Sequence, residues 1–227
     1  MRVVKLKNKL YFFNFGDSRE AGSFGPIQAA SIELSKLYRV FNILLVILVA
    51  VISVPFFLFA YITINFFGGG NVFYKQLRLG LGAKKFYIYK FRTMVVDAEQ
   101  TGQPVWAEAK DPRITKYGKF LRRTRIDELP QLWNVLKGDM NLVGPRPERP
   151  EFHGKILEKI PNFDARLSVR PGITGLAQIE HGYVASIDAN TDKFELDSQY
   201  IEQKSYMKDL YILARTVKVV LTGFGAR

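Results

Sequence analysis

The chain has 227 residues, with 33 Lys and Arg against 21 Asp and Glu, a formal charge of +12, and no cysteine. The absence of Cys excludes disulfides and thiolate metal sites. The cationic excess favours anionic partners (nucleic acid, phospholipid head groups or phosphorylated small molecules) and composition does not choose among them. In chain order, residues 1–35 read as a basic, aromatic tail (Lys5, Lys7, Lys9, Tyr11, Phe12, Phe13, Phe15), compatible with a lipid surface or with disorder. Residues 41–67 hold no charged side chain. A membrane-spanning helix needs about 20 apolar residues, so one simple reading is a single span. Two details oppose it. Pro55 sits in mid-run with Ser53 two residues before; proline removes a donor and crowds the preceding turn, so the helix bends there. Both flanks are also net positive, and positive charge stays on the cytoplasmic side. A helix that enters, bends and leaves by the same face satisfies both details. The pattern does not read as a secretory signal peptide, because the charged segment before it is long and no small-residue cleavage site follows.

Beyond the run, residues 72–92 read as a β-hairpin. The strands are Val72 to Leu79 and Lys85 to Arg92, and Gly80-Leu81-Gly82-Ala83 forms the turn. Lys90 and Arg92, two apart, share a face. Residues 94–100 start a short helix. Residues 111–125 form a basic segment with Ile114, Tyr117, Phe120 and Leu121 on one stripe. A helix begins near Asp127, with Pro130 in its first turn, Leu129, Leu132, Trp133 and Leu136 at helical spacing, and Gly138 as its stop. A proline-rich loop (residues 143–152) leads to a helix over 153–159. Residues 170–178 are turn-rich. The last helix spans 204–222, where Met207, Leu210, Tyr211, Ala214, Val217 and Leu221 form an apolar stripe that suits either the core or a lipid surface, core or mixed packing being the preferred reading. His153 and His181 lack ligand spacing and read as surface or loop residues.

The chemistry concentrates between residues 122 and 149. Singly, Asp127 before a helix is an N-cap and the arginines are solvated faces. Together, Arg122, Arg125, Arg146 and Arg149 offer bidentate grips on phosphate oxygens beside a helix N-terminus, itself an anion site. A carboxylate held ionised there can attack phosphorus. Asp127 and Glu128 point in different directions on a helix, so one can attack while the other holds Mg²⁺, which prefers few carboxylates plus substrate phosphate oxygens.

At these residues the chain resembles the bacterial sugar transferases, the monotopic phosphoglycosyl transferases that start glycan assembly on a polyprenyl phosphate. The matching stretches are FYKQLRLGLGAKKFYIYKFRTM (73–94), DAE (97–99), LRRTRIDELPQLWNVLKGDMNLVGPRPERPEF (121–152), RPGITGLAQ (170–178) and the tail from Asp197-xx-Tyr200 to Gly225-Ala226. The resemblance implies an α/β fold, mostly helical with a short β-hairpin, anchored by a re-entrant helix hairpin broken at Ser53–Pro55. It implies three regions: a tail over 1–35, the re-entrant membrane helix over 36–70, and a cytoplasmic transferase domain over 71–227. The implied reaction moves a sugar-1-phosphate from a UDP-sugar to undecaprenyl phosphate, releasing UMP, through a phosphosugar intermediate on Asp127. Glu128, with Asp127, is associated with Mg²⁺. Lys90, Arg92, Arg122, Arg125, Arg146 and Arg149 are assigned to phosphate or nucleotide contacts. The implied setting is the cytoplasmic face of a bacterial inner membrane, on anionic phospholipid, at the first membrane step of exopolysaccharide, capsule or O-antigen synthesis. A homodimer stays open and nucleic acid is not an expected partner. The chain departs from the pattern in two places: Val54 separates Ser53 from Pro55, and the stretch after Gln178 lacks the commoner Gly-Arg. Two rivals are a non-catalytic membrane-tethered scaffold and, from charge alone, a nucleic-acid binder.

Overall fold

The computed structural model describes residues 2–6 and 9–13 as backbone, and residues 33, 35–68, 70–96, 98, 111–181 and 189–225. The expected DAE stretch and residues 182–188 fall largely or wholly outside these. Among the described residues the fold is mostly helical, with three two-stranded sheets. Strands β1 (Arg2–Leu6) and β2 (Lys9–Phe13) form an antiparallel hairpin inside the segment read as a tail.

The apolar run forms one helix, α1 (Lys36–Phe67), capped by Ser35, whose hydroxyl accepts from the Tyr38 amide, with Pro55 in its interior. At 1.5 Å per residue, 32 residues extend roughly 48 Å. Its buried residues fall into two seams at four-residue spacing: Tyr38, Asn42 and Val46 before the proline, Ala60 and Ile64 after it. The first seam is tied down by polar contacts: Asn42 Oδ1 accepts from the Leu142 amide (3.1 Å) and Tyr38 donates to Asp209 (2.5 Å). The second packs with Phe91, Leu121 and Ile126. Between and around the seams Leu44, Leu48, Val51, Ile52, Phe56, Phe59 and Phe66 are exposed. This helix is long and apolar enough to cross or enter a membrane.

Strands β3 (Phe73–Leu79) and β4 (Lys85–Phe91) form the expected antiparallel hairpin, closed by a 3-10 turn at Leu81–Ala83 where Gly82 takes φ 61°. Side chains alternate across it: Phe86 and Ile88 enter the core, while Phe57 of α1 lies against Phe73 and Phe91 on the other face. Residues 94–96 are not helical. Met94 instead bridges to Ile114, because the chain must return antiparallel to reach α2 (Lys116–Arg123). Gly118 of α2 lies so close to the Thr93 carbonyl that a Cβ would sit 2.1 Å from it.

A single 3-10 turn at Ile126–Glu128 leads into α3 (Gln131–Lys137), which stops at Gly138 with φ 89°. Strand β5 (Asn141–Val143) pairs in parallel with β6 (Gly172–Thr174), a pairing hidden in a stretch that reads only as turns. Between them lie α4 (Pro150–Lys159) and a 3-10 segment, Phe163–Ser168. Three helices close the chain: α5 (Leu176–Glu180), α6 (Ala189–Glu202) and α7 (Tyr206–Thr222). The main core gathers Ile88, Val135, Met140, Leu142, Val169, Leu176, Ile179 and Ile212 around β5–β6.

The fold places three features that the sequence left open or misread. Phe120 is half exposed, lying edge-on to Phe59 of α1 (5.9 Å). Met207, Leu210, Tyr211, Val217 and Leu221 of α7 are exposed, and the helix buries Asp209 and Ile212 instead. His153 is not a surface residue: it is buried on α4, 2.7 Å from Asp164. His181 is exposed, as expected, 3.2 Å from Asp192.

Candidate active site

The site forms where three segments converge: the end of β4, the turn before α3, and the loop after β5. β4 delivers Lys90, whose Nζ donates to Glu128 Oε1 at 2.8 Å. The loop delivers Arg146, which grips the same carboxylate at 2.5 Å through one guanidinium nitrogen and at 3.4 Å through another. Glu128 thus holds two cations while almost fully buried. Burial alone would raise its carboxyl, but Arg146 and Lys90 hold it well below the usual carboxylate range. Burial in turn lowers Lys90 to about 8.

Asp127 is treated differently. It is buried, and its Oδ1 has no hydrogen-bond partner among the described residues. Burial and the neighbouring Glu128 charge push its pKa up from 3.8 to about 6, against the pull of Lys90, Arg122 and Arg125. A buried acceptor without a partner costs free energy that a folded protein ordinarily avoids. The Gln131 amide, one turn on and wholly buried, is also without a partner. Unsatisfied polar atoms beside a paired carboxylate mark a place where something else is meant to bind.

The backbone aims this turn. Arg125 takes a left-handed conformation, φ 58°, unusual for a residue with a side chain. That kink redirects the chain between α2 and the Asp127–Glu128 turn. The Arg125 guanidinium donates to the Gly225 carbonyl at 3.0 Å, so the turn after the last helix holds it. Arg122 donates through Nε to Thr93 Oγ1 at 2.8 Å.

The structure therefore brings Lys90, Arg146, Arg122 and Arg125 into the electrostatic surroundings of the carboxylate pair. It places the other two arginines elsewhere. Arg92 continues the hairpin ladder by donating its amide to Val72, and its guanidinium lies by Gly70. Arg149 caps α4, with Glu151 at 3.5 Å and the Phe152 ring beneath its guanidinium.

The sequence reading missed what holds the Arg146 loop in place. Arg166, on the 3-10 segment, donates to the Arg146 carbonyl (2.8 Å) and to Asp197 of α6 (2.7 Å). Glu148 of the loop pairs with Lys193 of α6. Burial would raise Glu148, but Lys193, Arg166 and Arg78 hold it below the usual range. From the other side Arg78 donates to the Pro147 carbonyl (2.8 Å) and the Leu79 amide to that of Glu148 (3.0 Å). Glu148 and Asp197 lay within noted motifs, but Arg166 lies in none, so no signal short of the tertiary contact pointed to it.

As to a metal, no group of three or more His, Asp or Glu side chains is poised to hold an ion among the described residues. A site of one or two carboxylates completed by substrate phosphate oxygens is nonetheless the usual form for Mg²⁺. The unpartnered Asp127 Oδ1 beside Glu128 fits that donor set.

A buried carboxylate pair, a proline loop that delivers an arginine to it, and a helix long and apolar enough to cross a membrane belong to one folded body. Residues 34–223 match the family described as bacterial sugar transferase, and the chain belongs to that family. It is 44% identical over 204 residues to the UDP-N-acetylgalactosamine-undecaprenyl-phosphate N-acetylgalactosaminephosphotransferase of Aeromonas hydrophila, covering 88% of this chain and 48% of that protein. It is 38% identical over 201 residues to the UDP-glucose:undecaprenyl-phosphate glucose-1-phosphate transferase of Caulobacter vibrioides, covering 87% of this chain and 74% of that protein. It is 41% identical over 189 residues to the uncharacterized sugar transferase EpsL of Bacillus subtilis, covering 83% and 89% respectively. The chain spans about half the length of the Aeromonas relative.

Proposed function

We propose that this protein transfers a sugar-1-phosphate from a UDP-sugar to undecaprenyl phosphate, giving undecaprenyl-diphosphate-sugar and UMP. The observation that carries the reading is the division of labour between two adjacent carboxylates. Glu128 is held ionised between Lys90 and Arg146, and Asp127 keeps a buried oxygen with no partner. An oxygen free of hydrogen bonds is the better nucleophile. In the first step an Asp127 carboxylate oxygen attacks the sugar-bearing phosphorus of the donor, and the bond from that phosphorus to the bridging oxygen breaks. UMP leaves with the electron pair, and an acyl phosphosugar remains on Asp127. In the second, a phosphate oxygen of the lipid attacks the same phosphorus and releases the Asp127 carboxylate. Neither step needs a redox partner.

Arg146 and Lys90 can turn part of their donor capacity from Glu128 to the pyrophosphate oxygens, where charge-assisted hydrogen bonds hold the donor in line. Arg122 and Arg125 favour the ionised form of Asp127 that the attack requires. Mg²⁺, held through Glu128 and Asp127, would offset the charge of the pyrophosphate. The relatives named for N-acetylgalactosamine phosphate and glucose phosphate transfer support this donor and acceptor class. The membrane arrangement we favour is a re-entrant helix that enters and leaves at the cytoplasmic face of the inner membrane, bent at Pro55. Both α1 seams rest on one folded body, which supports it. Glycan initiation is the corresponding role.

The test is intact mass. Detergent-purified protein incubated with Mg²⁺ and a panel of UDP-sugars, without lipid, is expected to gain one phosphosugar, and the Asp127→Asn variant is expected to gain nothing. A wild-type protein that binds donor yet never gains mass, while still turning over with lipid, would rule out the covalent intermediate. Absence of turnover with every donor would favour the scaffold reading.

A further inference from the structure

We propose that Gln131 is a further catalytic residue, whose side-chain amide donates a hydrogen bond to the Asp127 carboxylate as it leaves phosphorus in the second step. The proposal rests on the transferase reading and adds one group to it.

Gln131 opens α3. The backbone stays right-handed helical through Leu129 (φ −55°, ψ −36°) and Pro130 (φ −61°, ψ −17°), so the Ile126–Glu128 turn runs into α3 without a break. Residues four apart along such a path share a face, and glutamine and aspartate at that spacing can hydrogen-bond. Asp127 and Gln131 are so spaced, and Glu128 borders the same face. Gln131 is wholly buried, and neither its amide nitrogen nor its amide oxygen has a partner among the described residues. Asn134, one turn further on and equally buried, shows the usual treatment. Its amide donates to the Tyr87 carbonyl at 2.7 Å and accepts from the Tyr89 amide at 3.1 Å. A buried amide that merely filled space would be less stable than a leucine of similar size, because orphaned polar atoms are costly.

Asp127 Oδ1 is unpartnered as well, so donor and acceptor lie one turn apart and do not meet in the free protein. That separation suits a two-step reaction. In the first step a bare carboxylate oxygen attacks phosphorus better than one already holding a hydrogen bond. In the second, a phosphate oxygen of the lipid attacks phosphorus, the bond from phosphorus to the Asp127 oxygen breaks, and the carboxylate leaves with the electron pair. Negative charge then grows on both carboxylate oxygens. A donor that reaches them only at this stage stabilises the transition state more than the ground state. Lys90 and Arg146 already engage Glu128, whereas the Gln131 amide is uncommitted. The amide gives up no proton in this role, so none has to be returned.

Gln131→Leu tests this, since it keeps the volume and removes both polar atoms. With UDP-sugar alone, phosphosugar loading read by intact mass should stay within twofold of wild type. Discharge of the loaded protein by undecaprenyl phosphate, followed in a single turnover, should slow at least tenfold, so that the adduct accumulates in steady state. The variant should melt no lower than wild type. Discharge at the wild-type rate, or loading and discharge slowed alike, would overturn the proposal. A clearly lower melting temperature would also overturn it, because the amide would then be satisfied, by water for example, and serve packing. Gln131→Met, unbranched like glutamine, should repeat the result, and failure of both variants to fold would likewise mean a structural role. A wild-type protein that never loads would sink the covalent step of the transferase reading and this proposal with it. Normal discharge in the variant beside a wild type that loads would sink this proposal alone.

Discussion

Asp127 is the residue where function works against stability. Its carboxyl is raised from 3.8 to about 6 by burial and by Glu128. A raised carboxyl binds its proton more tightly when folded than unfolded. The folded state therefore loses stability as pH rises from about 4 to about 6, and the loss is complete above that. Two pH units correspond to on the order of 3 kcal/mol. Asp127→Asn removes the charge and keeps the shape. In chelator and without donor, the variant is expected to unfold at a higher temperature than wild type at pH 8, with the gap closing near pH 4. Equal melting curves at both pH values would mean that Asp127 is not strained in the free protein. Much of this site was legible beforehand, because acidic pairs at a helix start flanked by arginines are local in sequence. The proline loop that carries Arg146 also announces itself by composition. Arg149 and Arg92 were read the same way, yet Arg149 meets Glu151 and Phe152 of its own helix and Arg92 meets Val72 and Gly70 across the hairpin, since local sequence says which side chains are cationic but not where a loop turns them.

Among elements, the Arg146 loop shows how a catalytic side chain depends on a remote scaffold. Arg166 and Asp197 are both nearly fully buried and 2.7 Å apart. Breaking such a pair by removing one partner leaves an uncompensated buried charge and costs about 3–5 kcal/mol. Arg166→Ala should lower stability by that order in denaturant titration, and should weaken donor binding because the Arg146 carbonyl loses its anchor. The exposed pair Arg215–Glu180, at 3.4 Å, provides the contrast. Arg215→Ala should change stability by less than about 1 kcal/mol, since exposed ion pairs are screened by solvent. Equal costs for the two substitutions would contradict the picture of a buried scaffold. Helical periodicity found α3 and α7, because a 3.6-residue repeat of apolar side chains is a local property, and an uncharged apolar run found α1. Periodicity did not settle which way the stripes of α3 and α7 face. An apolar stripe reads the same whether it faces protein or lipid, and in a membrane-associated chain the helix can bury its polar face inward. Asn134 illustrates this: it is wholly buried, and its amide satisfies the free edge of β4, donating to the Tyr87 carbonyl (2.7 Å) and accepting from the Tyr89 amide (3.1 Å).

For the whole molecule, the proposed re-entrant arrangement puts both ends of α1 on one side of the membrane. Both α1 seams pack on the folded body, and positive charge flanks the apolar run at both ends. With no native cysteine, a single Asn8→Cys substitution reports topology cleanly. In sealed vesicles of known orientation, position 8 should react only from the side that holds the transferase body. Reaction from the opposite side would establish a crossing helix.

Residue order alone was enough for the long apolar helix, the hairpin and the acidic pair with its arginines, because each depends on chemistry a few residues apart. It was enough, too, to identify the family, since long motifs recur in order. The parallel pairing of β5 with β6, the Arg166 scaffold and the exposure of the α7 stripe came only with the fold. Each depends on contacts between segments tens of residues apart, and no local pattern carries the free energy that selects such contacts.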